Sequence, residues 1–148
     1  MEHNHAKNFS RSDAGKNLLV MLDAVEDFQL KFKQIPAVLT KPTEMSASLA
    51  YLRKKLTMEE SNELVLATDR GEMDEYLDAC VDLLYVVLGN VVLTGLKDAF
   101  IEAFWRVHLA NMDKVLVEKR ELSKRDSAWD IVKPEGWTKP DLSDLVQR

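Results

Sequence analysis

The sequence predicts an all-α protein, a four-helix, bundle-like arrangement with an extended C-terminal segment. Three observations carry that expectation. Leu, Ala, Val, Glu and Lys are abundant, whereas the 148 residues include only 5 Gly and 4 Pro, a composition that suits helices and starves the turns of a sandwich or barrel. Apolar residues recur at helical rather than alternating spacing in successive stretches. With 46% hydrophobic residues the chain can bury a core and is most economically one domain.

Residues 1–13 are polar and without periodicity, so they read as a flexible tail holding His3 and His5, ahead of a single domain over 14–148. From about Ala14 to Gln34, Leu18, Leu19, Met21, Leu22, Val25, Phe28 and Phe32 trace a first helix. "IPAVLTKPT" breaks it with two prolines, and Thr43 is placed to cap a second helix from about Glu44 to Thr68, closed near Asp69 and Gly71. A third helix from about Met73 to Thr94 stops at Gly95, a natural C′ glycine. Asp98 is suited to cap a fourth, reaching about Glu118. The remainder, "SKRDSAWDIVKPEGWTKPDLSDLVQR", has no helical period.

A formal charge of −5 argues against capture of nucleic acid or of an anionic membrane, which needs a basic face. The single cysteine, Cys80, sits in an apolar run and reads as a small buried hydrophobe, compatible with a reducing compartment. The N-terminus lacks the apolar core of a signal peptide, and "LLYVVLGNVVLTGL" is too short to cross a bilayer, so a soluble, cytoplasmic protein is expected.

The informative stretch is "TMEESNELVLA", residues 57–67. At about 100° per residue, Glu59, Glu60 and Glu63 fall inside the stripe marked by Leu49, Leu52, Leu56 and Leu64, not opposite it. On the nearly all-apolar third helix, Glu75, Asp78 and Asp82 make one narrow acidic stripe. Single acids here have bland explanations. Each glutamate can snorkel outward, Asp78 can accept from Tyr51, and Asp82 can pair with Arg53 or Arg106. Six acids on two sequential helices outnumber the bases at hand, and burying carboxylates uncompensated is costly. All-oxygen ligation selects a hard cation, Mg²⁺ first and Mn²⁺ second. Di-iron is disfavoured because it needs Glu-x-x-His pairs and the position three before His108 is Trp105, and zinc because Cys80 has no second cysteine. Such a magnesium site serves to bridge phosphate oxygens and lower the pKa of bound water, which points to metal-assisted hydrolysis of a nucleotide polyphosphate.

Glu59-Glu60-x-x-Glu63, followed by an acidic stripe ending in "DLLYVVLG", resembles the all-α nucleoside triphosphate pyrophosphohydrolases, the MazG-like superfamily, with its EExxE and ExxD motifs. "LRKKLTMEE", "VHLANMDK" and "KPEGWTKPDL" extend the likeness over about residues 50–142, toward the phosphoribosyl-ATP-pyrophosphohydrolase-like and dimeric dUTPase-like branch. The resemblance implies Mg²⁺ held between two helices and hydrolysis of a (d)NTP, dUTP or a non-standard nucleotide, to monophosphate and pyrophosphate. It implies Glu60 and Glu63 as ligands, with Glu59 a further ligand or the group that orients water, and Glu59 or Glu60 as base. Asp82 matches the aspartate of ExxD, but Ala79 stands where that motif has Glu. Either Asp78 supplies the missing ligand or Glu75-x-x-Asp78 is itself the motif.

The same resemblance makes Asn111, Lys114 and Lys133 candidates for phosphate contact, and Trp137 a cover for the site. From the residues alone, Asn111 reads equally as a structural amide, Lys114 as solvated, Trp137 as a packing anchor and His108 as a core histidine. Base selection is expected from the first helix and the loop holding Gln34 and Pro36. The nearly all-apolar third helix, together with the family habit, implies a homodimer or homotetramer. The rivals are a non-catalytic nucleotide-binding or helical interaction module, kept alive by Ala79, and a phosphoribosyl-ATP pyrophosphohydrolase.

Overall fold

The computed structural model describes residues 11–147, with the side chains of 11–15 left aside; the expected tail otherwise lies outside the described residues. The all-α class holds: α1 (Arg11–Lys31), α2 (Ala47–Arg70), α3 (Met73–Leu93) and α4 (Lys97–Met112) dominate. A two-residue strand pair, β1 (Val115–Leu116) and β2 (Ile131–Val132), and two 3₁₀ turns follow. Contacts divide the described residues into two compact units, 11–98 and 99–147, the division falling just inside α4.

In the first unit α3 packs against both α1 and α2. Leu22, Val25 and Gln29 of α1 are buried at helical spacing, as are Ala79, Val86, Gly89 and Leu93 on α3. The run "LLYVVLGNVVLTGL", expected to be too short to cross a bilayer, falls largely within the 21-residue α3, which by length and composition alone is long and apolar enough to do so. α1 ends three residues early because Lys33 takes a left-handed φ of 55° and Gln34 N–H returns to the Gln29 carbonyl at 2.9 Å.

The cap of α2 is Ser46, not Thr43: the Ser46 hydroxyl accepts from Leu49 N–H at 3.3 Å. Thr43 instead ties the loop to the end of α3, its N–H donating to the Thr94 carbonyl at 2.9 Å. There Gly95, at φ 66°, has no room for a side chain, because a Cβ would fall on the Lys41 carbonyl. α3 leads into α4, whose Lys97 ammonium bridges Asp23 and Glu26 of α1 at 2.6 and 2.7 Å. Burial pulls Lys97 down, but these two bonds outweigh it and hold its pKa above the ordinary value.

In the second unit α4 ends at Met112, six residues before the expected Glu118. Asn111 and Asp113 are weak helix formers, and the apolar residues beyond, three of the four β-branched, pair across the chain, Val115 with Val132 and Leu116 with Ile131. Arg106 donates to both carboxylate oxygens of Asp144, at 2.6 and 2.9 Å, and to Glu102. His108 is exposed, stacked on Phe104 and edge-on to Trp105, which corrects its reading as a core histidine.

Candidate functional site

α2 and α3 run antiparallel, and the partners of Arg53 show the register. Its Nε donates to Asn90 Oδ1 at 2.8 Å and its Nη2 to the Val86 carbonyl at 2.6 Å. The N-terminal half of α2 therefore meets the C-terminal half of α3, and the remaining halves bring the acids together. On α2 the buried and half-buried positions are Leu49, Arg53, Leu56, Thr57, Glu60, Ser61, Leu64 and Ala67. At about 100° per residue these centre the packed face on Glu60, with Glu59 and Glu63 on its margin.

The acids consequently stand differently from the inward-facing set expected of them. Glu60 alone is half-buried; Glu59, Glu63, Glu75, Asp78 and Asp82 are exposed. They lie on the rim of the interface because α3 presents small Ala79 to α2, buried like Ala67 opposite, and the acids fall to either side. Burial pushes the Glu60 carboxyl above the ordinary carboxylate range, and the charges of Glu63, Asp82, Glu59 and Asp78 push it further in the same direction. Five of the six acids thus share one field. The sixth, Glu75, joins Glu63 and Asp78 on an adjoining cleft of about 290 Å³, whose floor includes Ala67 and Ala79.

Neither arginine open to pairing with Asp82 on sequence grounds does so. Arg53 is buried, its pKa lowered by that burial, and spent on Asn90 and Val86, while Arg106 is committed to Glu102 and Asp144. The cation on the acidic cleft is Arg70, which the sequence reading passed over. Seven residues after Glu63, it returns to the same face after about two turns, a spacing legible in the sequence.

The donor set is wholly carboxylate oxygen in surplus over local cations, which suits a hard divalent ion. Among the described residues no three Asp, Glu, His or Cys side chains converge closely enough to hold one, so these ligands close on an ion only by turning their side chains. Ala79, at the position where the resemblance calls for Glu, is a buried packing residue, while Asp78 and Glu75 both face the cleft.

Gln34 lies on the loop after α1; its Oε1 is buried without a hydrogen-bond partner, as is that of the fully buried Gln29. Asn111, Lys114, Lys133 and Trp137 belong to the second unit, where three of them meet. Lys114 Nζ lies 5.2 Å and Lys133 Nζ 4.6 Å from the Trp137 ring centre, and Trp137 Nε1 donates to the Ala110 carbonyl at 2.7 Å. The exposed side chain of Asn111 stands apart, its carbonyl accepting from Lys114 N–H.

Residues 25–111 match the family model described as Phosphoribosyl-ATP pyrophosphohydrolase. That span takes in α2, α3 and all six acids. Comparison with curated proteins gives no match.

Proposed function

The chain belongs to the phosphoribosyl-ATP pyrophosphohydrolase family, whose members cleave phosphoanhydride bonds, and from this premise we propose a Mg²⁺-dependent hydrolase of nucleoside triphosphates. The substrate is a (d)NTP, with dUTP or a non-standard nucleotide first in line, and the products are the monophosphate and pyrophosphate. The observation that carries the reading is the shared field of Glu59, Glu60, Glu63, Asp78 and Asp82, none of which is in an ion pair among the described residues. Hydrolases of this family typically use divalent metals.

Glu60 and Glu63 from α2 and Asp78 and Asp82 from α3 would hold the ion, Mn²⁺ substituting for Mg²⁺, with Glu75 and Glu59 at the edges of the set. Bound there, the cation offsets the charge of acids and phosphates and favours ionisation of water. Glu59 or Glu60 takes the proton of the water that attacks the α-phosphorus. Arg70, on the cleft wall beside Glu63 and Asp78, offers positive charge to phosphate oxygens. Gln34, with its unpartnered Oε1, is a contact for the base; Lys114, Lys133 and Asn111, with Trp137, offer phosphate contacts within the second unit.

Leu77, Val81 and Leu84 are exposed on the side of α3 away from the acids, which supports burial against a second copy in a homodimer or homotetramer. Light scattering on the purified protein tests this; a monomer at micromolar concentration removes it. A cytoplasmic location accords with a lone thiol and a nucleotide substrate.

The test of activity is pyrophosphate release from a panel of dNTPs, dUTP included, with and without Mg²⁺. The panel includes phosphoribosyl-ATP, because the description of the matching family favours it as a second reading. Metal-dependent release from a dNTP above that from phosphoribosyl-ATP supports the first reading, and the reverse order supports the second. No turnover of any nucleotide leaves a binding module.

A further inference from the structure

The second unit holds a cleft of about 660 Å³ beside the β1/β2 pair, within the usual volume of small-molecule sites. Its charged walls are Lys114, Lys124, Arg125 and Lys133 against Glu118 and Asp130. Arg125 and buried Asp130 are bonded at 2.5 Å, and Asp130 also accepts from the Ser123 hydroxyl at 2.8 Å, so this pair neutralises itself. Three lysines then face one carboxylate, inside a chain whose formal charge is −5. Among the described residues no ion pair involves Lys114, Lys124 or Lys133.

Two of those ammonium groups are held on one indole, that of Trp137, which is itself fixed by its bond to the Ala110 carbonyl. Cations gathered this way repel one another unless an anion lies between them. Lysine binds phosphate as a point charge without demanding a planar, bidentate partner. Ammonium groups spread round a cleft of this size match an extended anion better than a compact one. The rest of the wall, including Val115, Val117 and Ile131, is apolar and accepts an uncharged appendage.

We propose that this cleft binds a polyphosphate, either free pyrophosphate or the phosphate chain of a nucleotide, through Lys114, Lys124 and Lys133 and without any metal ion. The choice of polyphosphate among anions rests on the hydrolase reading; the anion site itself stands on the lysines. The site lies wholly within the second unit and uses Lys124, to which neither the motifs nor the acidic cleft assigns a role.

The experiment is isothermal titration of the full-length protein with sodium pyrophosphate, with a dNTP and with orthophosphate, all in EDTA at low salt. Pyrophosphate and the dNTP are expected to bind once per chain and more tightly than orthophosphate, and tighter binding of the dNTP would assign the apolar wall to the nucleoside. Lys124→Ala combined with Lys133→Ala should weaken binding about tenfold or more, Lys124→Gln alone less, and Glu63→Gln not at all. Circular dichroism checks that the variants fold. Absence of binding in EDTA, orthophosphate binding as tightly as pyrophosphate, unchanged affinity in both lysine variants, or loss in Glu63→Gln would each overturn the proposal. Failure of the hydrolase reading shows separately, as wild-type protein that binds pyrophosphate in EDTA yet releases none from nucleotides with Mg²⁺.

Discussion

At one end of the α2–α3 pair a buried guanidinium is bonded to Asn90 and to the Val86 carbonyl, with Gly89 leaving the space it fills. At the other end a half-buried carboxyl, Glu60, sits among four more carboxylates and a small open cleft. The same two helices thus carry a satisfied charge at one end and an unsatisfied one at the other. α3 shows the change along a single face, where Glu75, Asp78 and Asp82 continue directly into Val86, Gly89 and Leu93. The comparison teaches that the closed end supplies the cohesion which lets the open end hold like charges together.

Four substitutions break or sharpen this contrast. The largest effect is expected from Glu63→Gln at the open end: pyrophosphate release should fall by at least about 10²-fold, while the metal-free protein stays folded or gains slightly in stability, because one like charge is removed. A clear drop in the melting temperature of the metal-free protein would make Glu63 a structural residue instead. Next comes Arg53→Ala at the closed end, which removes the bonds to Asn90 and Val86 and leaves a cavity. A loss of about 2–4 kcal/mol is expected in urea denaturation. A neutral result would mean that the guanidinium does not hold the two helices.

Gly89→Ala should cost about 1–3 kcal/mol by the same measurement, because its Cβ would lie 2.6 Å from Arg53 Nη2. The smallest effect concerns pH. Burial and its neighbours hold the Glu60 carboxyl above its ordinary range, so the folded chain keeps that proton more tightly than the unfolded one. The resulting stability is fully present below the unfolded pKa and is lost as pH rises through the raised value. Glu60→Gln should flatten this fall in a melting-temperature series on metal-free protein; an unaltered slope would place the linkage elsewhere.

The helices were legible because Leu22, Val25, Ala79 and Val86 obey a local period that survives in the fold. The end of α4 was not, since Val115 and Leu116 prolong an apolar pattern yet pair with Ile131 and Val132, a partnership between distant positions. The acids could be placed on two faces from spacing alone, but not their depth. Tyr51, Leu52, Met58, Val65 and Leu66 are exposed, so α2 has more apolar flank than it packs against α3, and the pattern does not say which flank is used. For the same reason spacing alone leaves Arg53 open to pairing with Asp82. The clue was Gly89, a mid-helix glycine whose space a long side chain from α2 takes. Arg70 needed only the count of two turns from Glu63. The grouping of Lys114 and Lys133 on Trp137 depends on a chain reversal across 20 residues that no periodicity reports.

The indole of Trp137 has a use that its packing alone does not suggest. Trp129, 86% exposed, is open to a collisional quencher such as iodide, whereas Trp105 and Trp137 are half-buried. With Trp129 quenched and Trp105 replaced by Phe, the emission that remains comes from a ring that carries two ammonium groups close to it. Any anion that draws those charges away changes the field on the excited state, so the molecule carries a built-in fluorescent reporter of its own lysine cleft.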